Sequence, residues 1–124
     1  MTLIDRLSKL DGPDREMDAE IYIRFNIPAE RAGRIDYANG MVGWWPKDGP
    51  YVSAVTVPAY TGSVDEVISL SNRLLPGVSL TIRTTENFAW FGGLKGDIAY
   101  GANPAIAACI AILRAKEAGN HEHS

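Results

Sequence analysis

The chain predicts an α+β fold in which helices pack on both faces of a small, mainly antiparallel sheet of three or four strands, an α/β/α sandwich. Three observations lead there. Several stretches carry apolar residues at helical spacing and are closed by Gly or Pro, whereas Val78 to Arg83 alternates apolar and polar residues with the period of a strand. The length, 124 residues, suits one domain better than two. Residues 1–118 are expected to form that domain and residues 119–124 a flexible tail.

The elements follow in order. Thr2 is placed to cap a helix carrying Leu3, Ile4, Leu7 and Leu10, and Asp11-Gly12-Pro13 stops it. Pro13 is equally suited to an early position of a second helix, with Asp14 and Glu16 at its positive end and Met17, Ile21 and Phe25 as its stripe. Asn26-Ile27-Pro28 closes that helix, because the residue before a proline is pushed out of the helical region.

From Pro28 to Pro50 the chain is irregular, broken by Gly33, Asn39-Gly40, Gly43, Pro46 and Asp48-Gly49-Pro50. Short strands from Met41 to Trp45 and from Tyr51 to Val57 flank the turn that starts at Pro46. Ser63-Val64-Asp65-Glu66 matches a capping box before a helical face of Val64, Val67, Ile68, Leu74 and Leu75. Pro76-Gly77 ends it. Val78 to Thr84 and Phe88 to Phe91 then read as an antiparallel hairpin. Asn103-Pro104 opens a last helix with Ile106, Cys109, Ile110 and Leu113 as its buried stripe, and Gly119-Asn120 is its expected end.

Composition excludes more than it selects. A hydrophobic fraction of 46% with 22% charged residues is that of an ordinary soluble domain, and a net charge of -3 is too small to mark a general nucleic-acid binder. The single cysteine excludes an intrachain disulfide and a thiolate-rich zinc site, and fits a reducing, cytoplasmic setting. No stretch approaches the eighteen apolar residues of a membrane span.

Few residues suggest chemistry. His121 and His123 are the only histidines and fall in the expected tail, so a Ser-His-Asp, Cys-His or three-histidine zinc site is not expected, nor any cofactor. Cys109 lies on an apolar stripe and reads as a small buried hydrophobe. Gly92-Gly93 with Lys95 and Gly96 lacks the spacing of a phosphate loop. Asp14 and Asp18, four apart on one helix, are the carboxylates best spaced for acid-base work, although their place at a helix start already has a structural use. Trp44, Trp45 and Tyr51, beside a stiff Pro/Gly turn, are the candidate binding surface. Neighbours in a strand face opposite ways, so one Trp is expected in the core and the other at the surface.

The segments Leu-Asp-Gly-Pro-Asp-Arg-Glu-Met-Asp at 10–18, Trp-Trp-Pro-Lys-Asp-Gly at 44–49, Val-Pro-Ala-Tyr-Thr-Gly-Ser-Val-Asp at 57–65 and Asn-Pro-Ala-Ile-Ala-Ala-Cys-Ile-Ala at 103–111 resemble a family of small phage and prophage proteins. Those proteins are described as a phage α/β/α sandwich domain. The resemblance covers nearly the whole chain and is most specific at Pro58 to Ser63 and in the last helix; Asn26 to Gly40 matches least. Where relatives often have Thr before the helix proline, this chain has Asn103, which keeps the capping role. What it implies is a fold and a phage setting, with no activity, cofactor or site residue carried over.

The leading functional expectation is therefore a phage or prophage accessory protein that binds a protein partner, such as a host or defence component, without catalysis. Self-association is included. A small hydrolase or nucleotide-binding enzyme using Asp14 and Asp18 is the runner-up, and a minor virion structural or assembly protein the third.

Overall fold

The computed structural model describes residues 2–38, 40–91 and 98–122. The elements are α1 (Leu3–Ser8), α2 (Arg15–Asn26), β1 (Ala32–Ala38), β2 (Met41–Pro46), β3 (Val52–Thr56), α3 (Val64–Leu74), β4 (Leu80–Arg83), β5 (Phe88–Phe91), β6 (Ala99–Tyr100) and α4 (Pro104–Glu122). The fold is α+β. Its strands form two antiparallel sheets of three, β1-β2-β3 and β4-β5-β6, where the sequence pointed to a single sheet. Two compact units result, a larger one made of Met1–Pro13 and Tyr60–Ser124 and a smaller one made of Asp14–Ala59. No helix among the described residues is long and apolar enough to cross a membrane.

The larger unit is organised around α4. This helix packs on β4, β5 and β6 and also on α1 and α3, and each residue from Ala105 to Leu113 is at most 6% exposed. The sequence suggested one buried stripe; instead the alanines between the stripe residues are covered as well, as befits a segment, Ala105 to Leu113, that is apolar all round. The expected hairpin is present, with Leu80 opposite Phe91 and Ile82 opposite Ala89. Ala89, Phe91 and Ala99 are buried. A third strand, β6, was not anticipated, because two residues are too few to show a period.

Local chemistry fixes where α4 begins. Asn103 Oδ1 accepts the Ile106 N–H at 2.8 Å, while its Nδ2 donates to the Thr61 carbonyl at 2.9 Å. The Cys109 thiol is buried and donates to the Tyr60 carbonyl at 3.4 Å. Gly101 is needed for close approach: a Cβ there would stand 2.7 Å from the Ala107 nitrogen. At its other end α4 continues through Gly119 and Asn120 to Glu122, so the expected stop does not act. An interior glycine costs a helix only about 1 kcal/mol relative to alanine, and no proline follows to enforce an end.

Both smaller helices of this unit start as their sequences indicate. Thr2 and Asp5 form a reciprocal capping box, with the Thr2 N–H donating to Asp5 and the Asp5 N–H to the Thr2 hydroxyl, each at 3.1 Å. Ser63 Oγ accepts the Glu66 N–H at 3.4 Å at the start of α3, which is the serine half of the capping box its sequence indicates.

In the smaller unit α2 starts two residues after Pro13. Asp14 is its cap, with Oδ1 accepting the Met17 N–H at 2.9 Å, and this leaves Pro13 outside the helix. Pro28 follows the Ile27 cap as expected. The irregular stretch after it holds a seven-residue strand, β1, paired with β2 in regular register from Arg34 to Ala38 and shifted in register between Ala32 and Arg34. Period-two reading misses β1 because all of it beyond Ala32 is exposed, so no face had to be apolar.

Candidate functional site

Pairing in the meander β1-β2-β3 sorts the aromatic residues onto two faces. Arg34 stands opposite Trp45 and Asp36 opposite Gly43, while Ile35 stands opposite Trp44 and Tyr37 opposite Val42. On the far side of β2, Val42 pairs with Val55 and Trp44 with Val52. The register shift between those two pairs lets Val52 and Val55, three residues apart, share one face.

On the first face, Tyr51 lies across Trp45 with ring centroids 4.4 Å apart. The Arg34 guanidinium covers the same indole, 4.6 Å from its centroid, and also binds the Asp36 carboxylate at 3.2 Å. Gly43 makes this possible. A Cβ at that position would collide with the Tyr51 ring.

The opposite face carries a cluster of apolar side chains. Ile35, Tyr37, Val52 and Val55 are exposed at 37–38% each, and they flank the half-buried Trp44 and the buried Val42. The two tryptophans do point to opposite faces, yet both are half-buried, so neither is the pure core residue or the pure surface residue that the sequence suggested. Trp44 and Trp45 thus lie in β2 and Tyr51 just before β3, and the three do not form one patch. Ile35, Tyr37, Val52 and Val55 complete the apolar face and were missed. Only the register shift brings the two valines together, and it leaves no mark in the sequence.

The start of α2 holds this sheet from its other end. Arg15 donates to the Val57 carbonyl at 2.7 Å, to the Gly40 carbonyl at 3.3 Å and to the Asp18 carboxylate at 2.9 Å. Asp18 is 1% exposed. The two carboxylates singled out for acid-base chemistry are therefore committed, Asp14 to the helix cap and Asp18 to Arg15. Among the described residues no group of three His, Cys, Asp or Glu side chains is placed to hold a metal ion. Gly92, Gly93, Lys95, Gly96 and His123 lie outside the described residues, as does the side chain of His121.

The sheet of the larger unit adds a feature that sequence reading only touched. Phe88 lies 5.7 Å from Trp90 and 5.6 Å from Tyr100 between ring centroids, and Tyr100 is 64% exposed. Compared with family models, with curated proteins and with solved structures, the chain matches none.

Proposed function

We propose that this protein acts without catalysis, by binding a protein partner through the apolar face of β1-β2-β3, as a phage or prophage accessory protein. The observation that carries the reading is the row of Ile35, Tyr37, Val52 and Val55 around Trp44, four large apolar side chains each left more than a third exposed on one face. Side chains of this kind, set on paired strands, lose little freedom on binding and remove much apolar area from water. The resemblance of residues 57–65 and 103–111 to small phage proteins supports the setting, and a host or defence component is the partner class that the setting favours.

The test is affinity purification from lysogenic or infected cells with the wild-type protein, a Val55→Glu variant and a Thr81→Glu variant as control. A partner retained by wild type and Thr81→Glu but lost by Val55→Glu supports the reading. A partner held equally by all three moves the surface elsewhere in the molecule.

A further inference from the structure

Strand β1 is the outer strand of its sheet, with β2 on one side and no strand on the other among the described residues. Its sequence, Ala-Gly-Arg-Ile-Asp-Tyr-Ala, is nearly symmetric in chemistry about Ile35. In an antiparallel pairing of β1 with another β1, centred on Ile35, Arg34 of each chain falls opposite Asp36 of the other. Gly33 falls opposite Tyr37, where a missing side chain leaves room for an aromatic ring, and the register shift between Ala32 and Arg34 ends the regular strand there.

The backbone has the right phase for such a pairing. The Gly40 carbonyl accepts the Val57 N–H at 2.8 Å, which turns Gly40, and with it Val42, toward β3. Met41 and Gly43 therefore turn toward β1, where they stand opposite Ala38 and Asp36. The alternation directs the N–H and C=O of Ile35 and Tyr37 away from β2, to the open edge. A two-fold axis at Ile35 thus makes Ile35 with Ile35 a hydrogen-bonded pair and Arg34 with Asp36 a non-hydrogen-bonded pair, the kind in which side chains approach most closely. Arg34 and Asp36 are more than half exposed, 3.2 Å apart and already aligned on one face.

We infer that the open edge of β1 is a self-recognition surface, and that two copies of this chain pair antiparallel through it to give one six-stranded sheet with an alternating quartet of Arg34 and Asp36. This stands apart from the partner-binding reading, which uses a face and not an edge. A strand edge of this length buries less than the roughly 1,200 Å² of a stable interface, so the dimer is weak and dependent on concentration.

Sedimentation equilibrium over a concentration series tests it. Wild type should show a reversible monomer-dimer equilibrium. Arg34→Asp alone and Asp36→Arg alone each place like charges opposite one another, and each should weaken self-association by about tenfold or more. An equimolar mixture of the two variants restores both opposite-charge pairs and should recover a heterodimer of wild-type strength. Ile35→Pro removes an outward N–H and trims the side chain beside Trp44, so it should abolish the dimer while circular dichroism still reports a folded chain. A wild type that stays monomeric throughout the series overturns the inference. So does a dimer indifferent to these substitutions, or a mixture no stronger than its components.

Discussion

Tyr51 rests on Trp45 at a ring separation of 4.4 Å, in the space that Gly43 leaves open. The pair bridges the turn between β2 and β3, so the aromatic stack closes the hairpin as well as lining one face of the sheet. Gly43→Val should expel Tyr51 from this position. The expected outcome is a destabilisation of about 1–3 kcal/mol from overpacking, measured by denaturant unfolding, with a loss of the ring-current shifts of the Tyr51 protons.

Trp44 and Trp45 should separate functionally. Trp44→Ala removes the centre of the apolar face and should weaken partner capture by roughly thirtyfold, the effect of about 2 kcal/mol at an interface centre. Trp45→Ala removes the support of Tyr51 and Arg34 and should lower stability with a smaller effect on capture. Titration of the purified partner against both variants, alongside thermal melts, checks this division; equal losses of stability without loss of capture would contradict it.

The Arg15–Asp18 pair predicts a non-additive cycle. Arg15→Ala leaves the carboxylate of the buried Asp18 without its guanidinium and releases the carbonyls of Gly40 and Val57, a loss of about 2 kcal/mol after allowance for the partial exposure of Arg15. Asp18→Asn in the Arg15→Ala background should recover part of that loss. Chemical denaturation of the two single variants and the double variant measures the coupling.

Burial of α4 on every side from Ala105 to Leu113 predicts that its small residues there are as intolerant as its large ones. Ala107→Glu and Ala108→Glu should unfold the larger unit, as should Ile110→Asp, because each buries an unpaired charge at a cost of several kcal/mol. Circular dichroism of the alanine variants is decisive: a folded Ala107→Glu would mean that α4 shows a polar face to water after all.

At the other end of the chain, the capping box sets a pH dependence. The Thr2 N–H, followed by the Thr2 hydroxyl, bonds Asp5 and holds its carboxyl below the usual carboxylate range. A group whose folded pKa is depressed contributes its stabilisation in full above its unfolded pKa, about 4, and loses it as pH falls through the lower folded value. Amide exchange in α1 should therefore be constant from neutral pH down to about 5 and accelerate below about 4, after correction for intrinsic rates. Asp5→Asn should flatten that profile.

Much of the fold was legible where local chemistry decides it. Ser63, Asn103 and Pro28 announce helix boundaries through side-chain oxygens and a missing N–H, and Leu80 to Arg83 alternates because one face lies on α4. Strand β1 was illegible for the opposite reason. An exposed outer strand carries no apolar period, and its partner is fixed by β2 rather than by its own residues. Of the site, Trp44, Trp45 and Tyr51 could be named from residue type and a neighbouring turn. Their division between two faces follows from strand geometry, whereas the company of Val52 and Val55 depends on a register shift that only the paired backbone reveals.

The larger unit is discontinuous, and its two pieces meet where Pro13 lies against Gly62. This arrangement sets an order of events during synthesis on the ribosome. The smaller unit has all its residues available once Ala59 has emerged, and its sheet is built from hairpins between neighbours in the chain. Helix α1 must wait for α4, from which nearly the whole chain separates it, before it meets the surface that buries Leu7. Such distant contacts form late and slowly. A nascent chain stalled before Pro104 accordingly holds the residues of the whole meander and a helix α1 still without the surface of α4, which makes the last helix the step that commits the larger unit to fold.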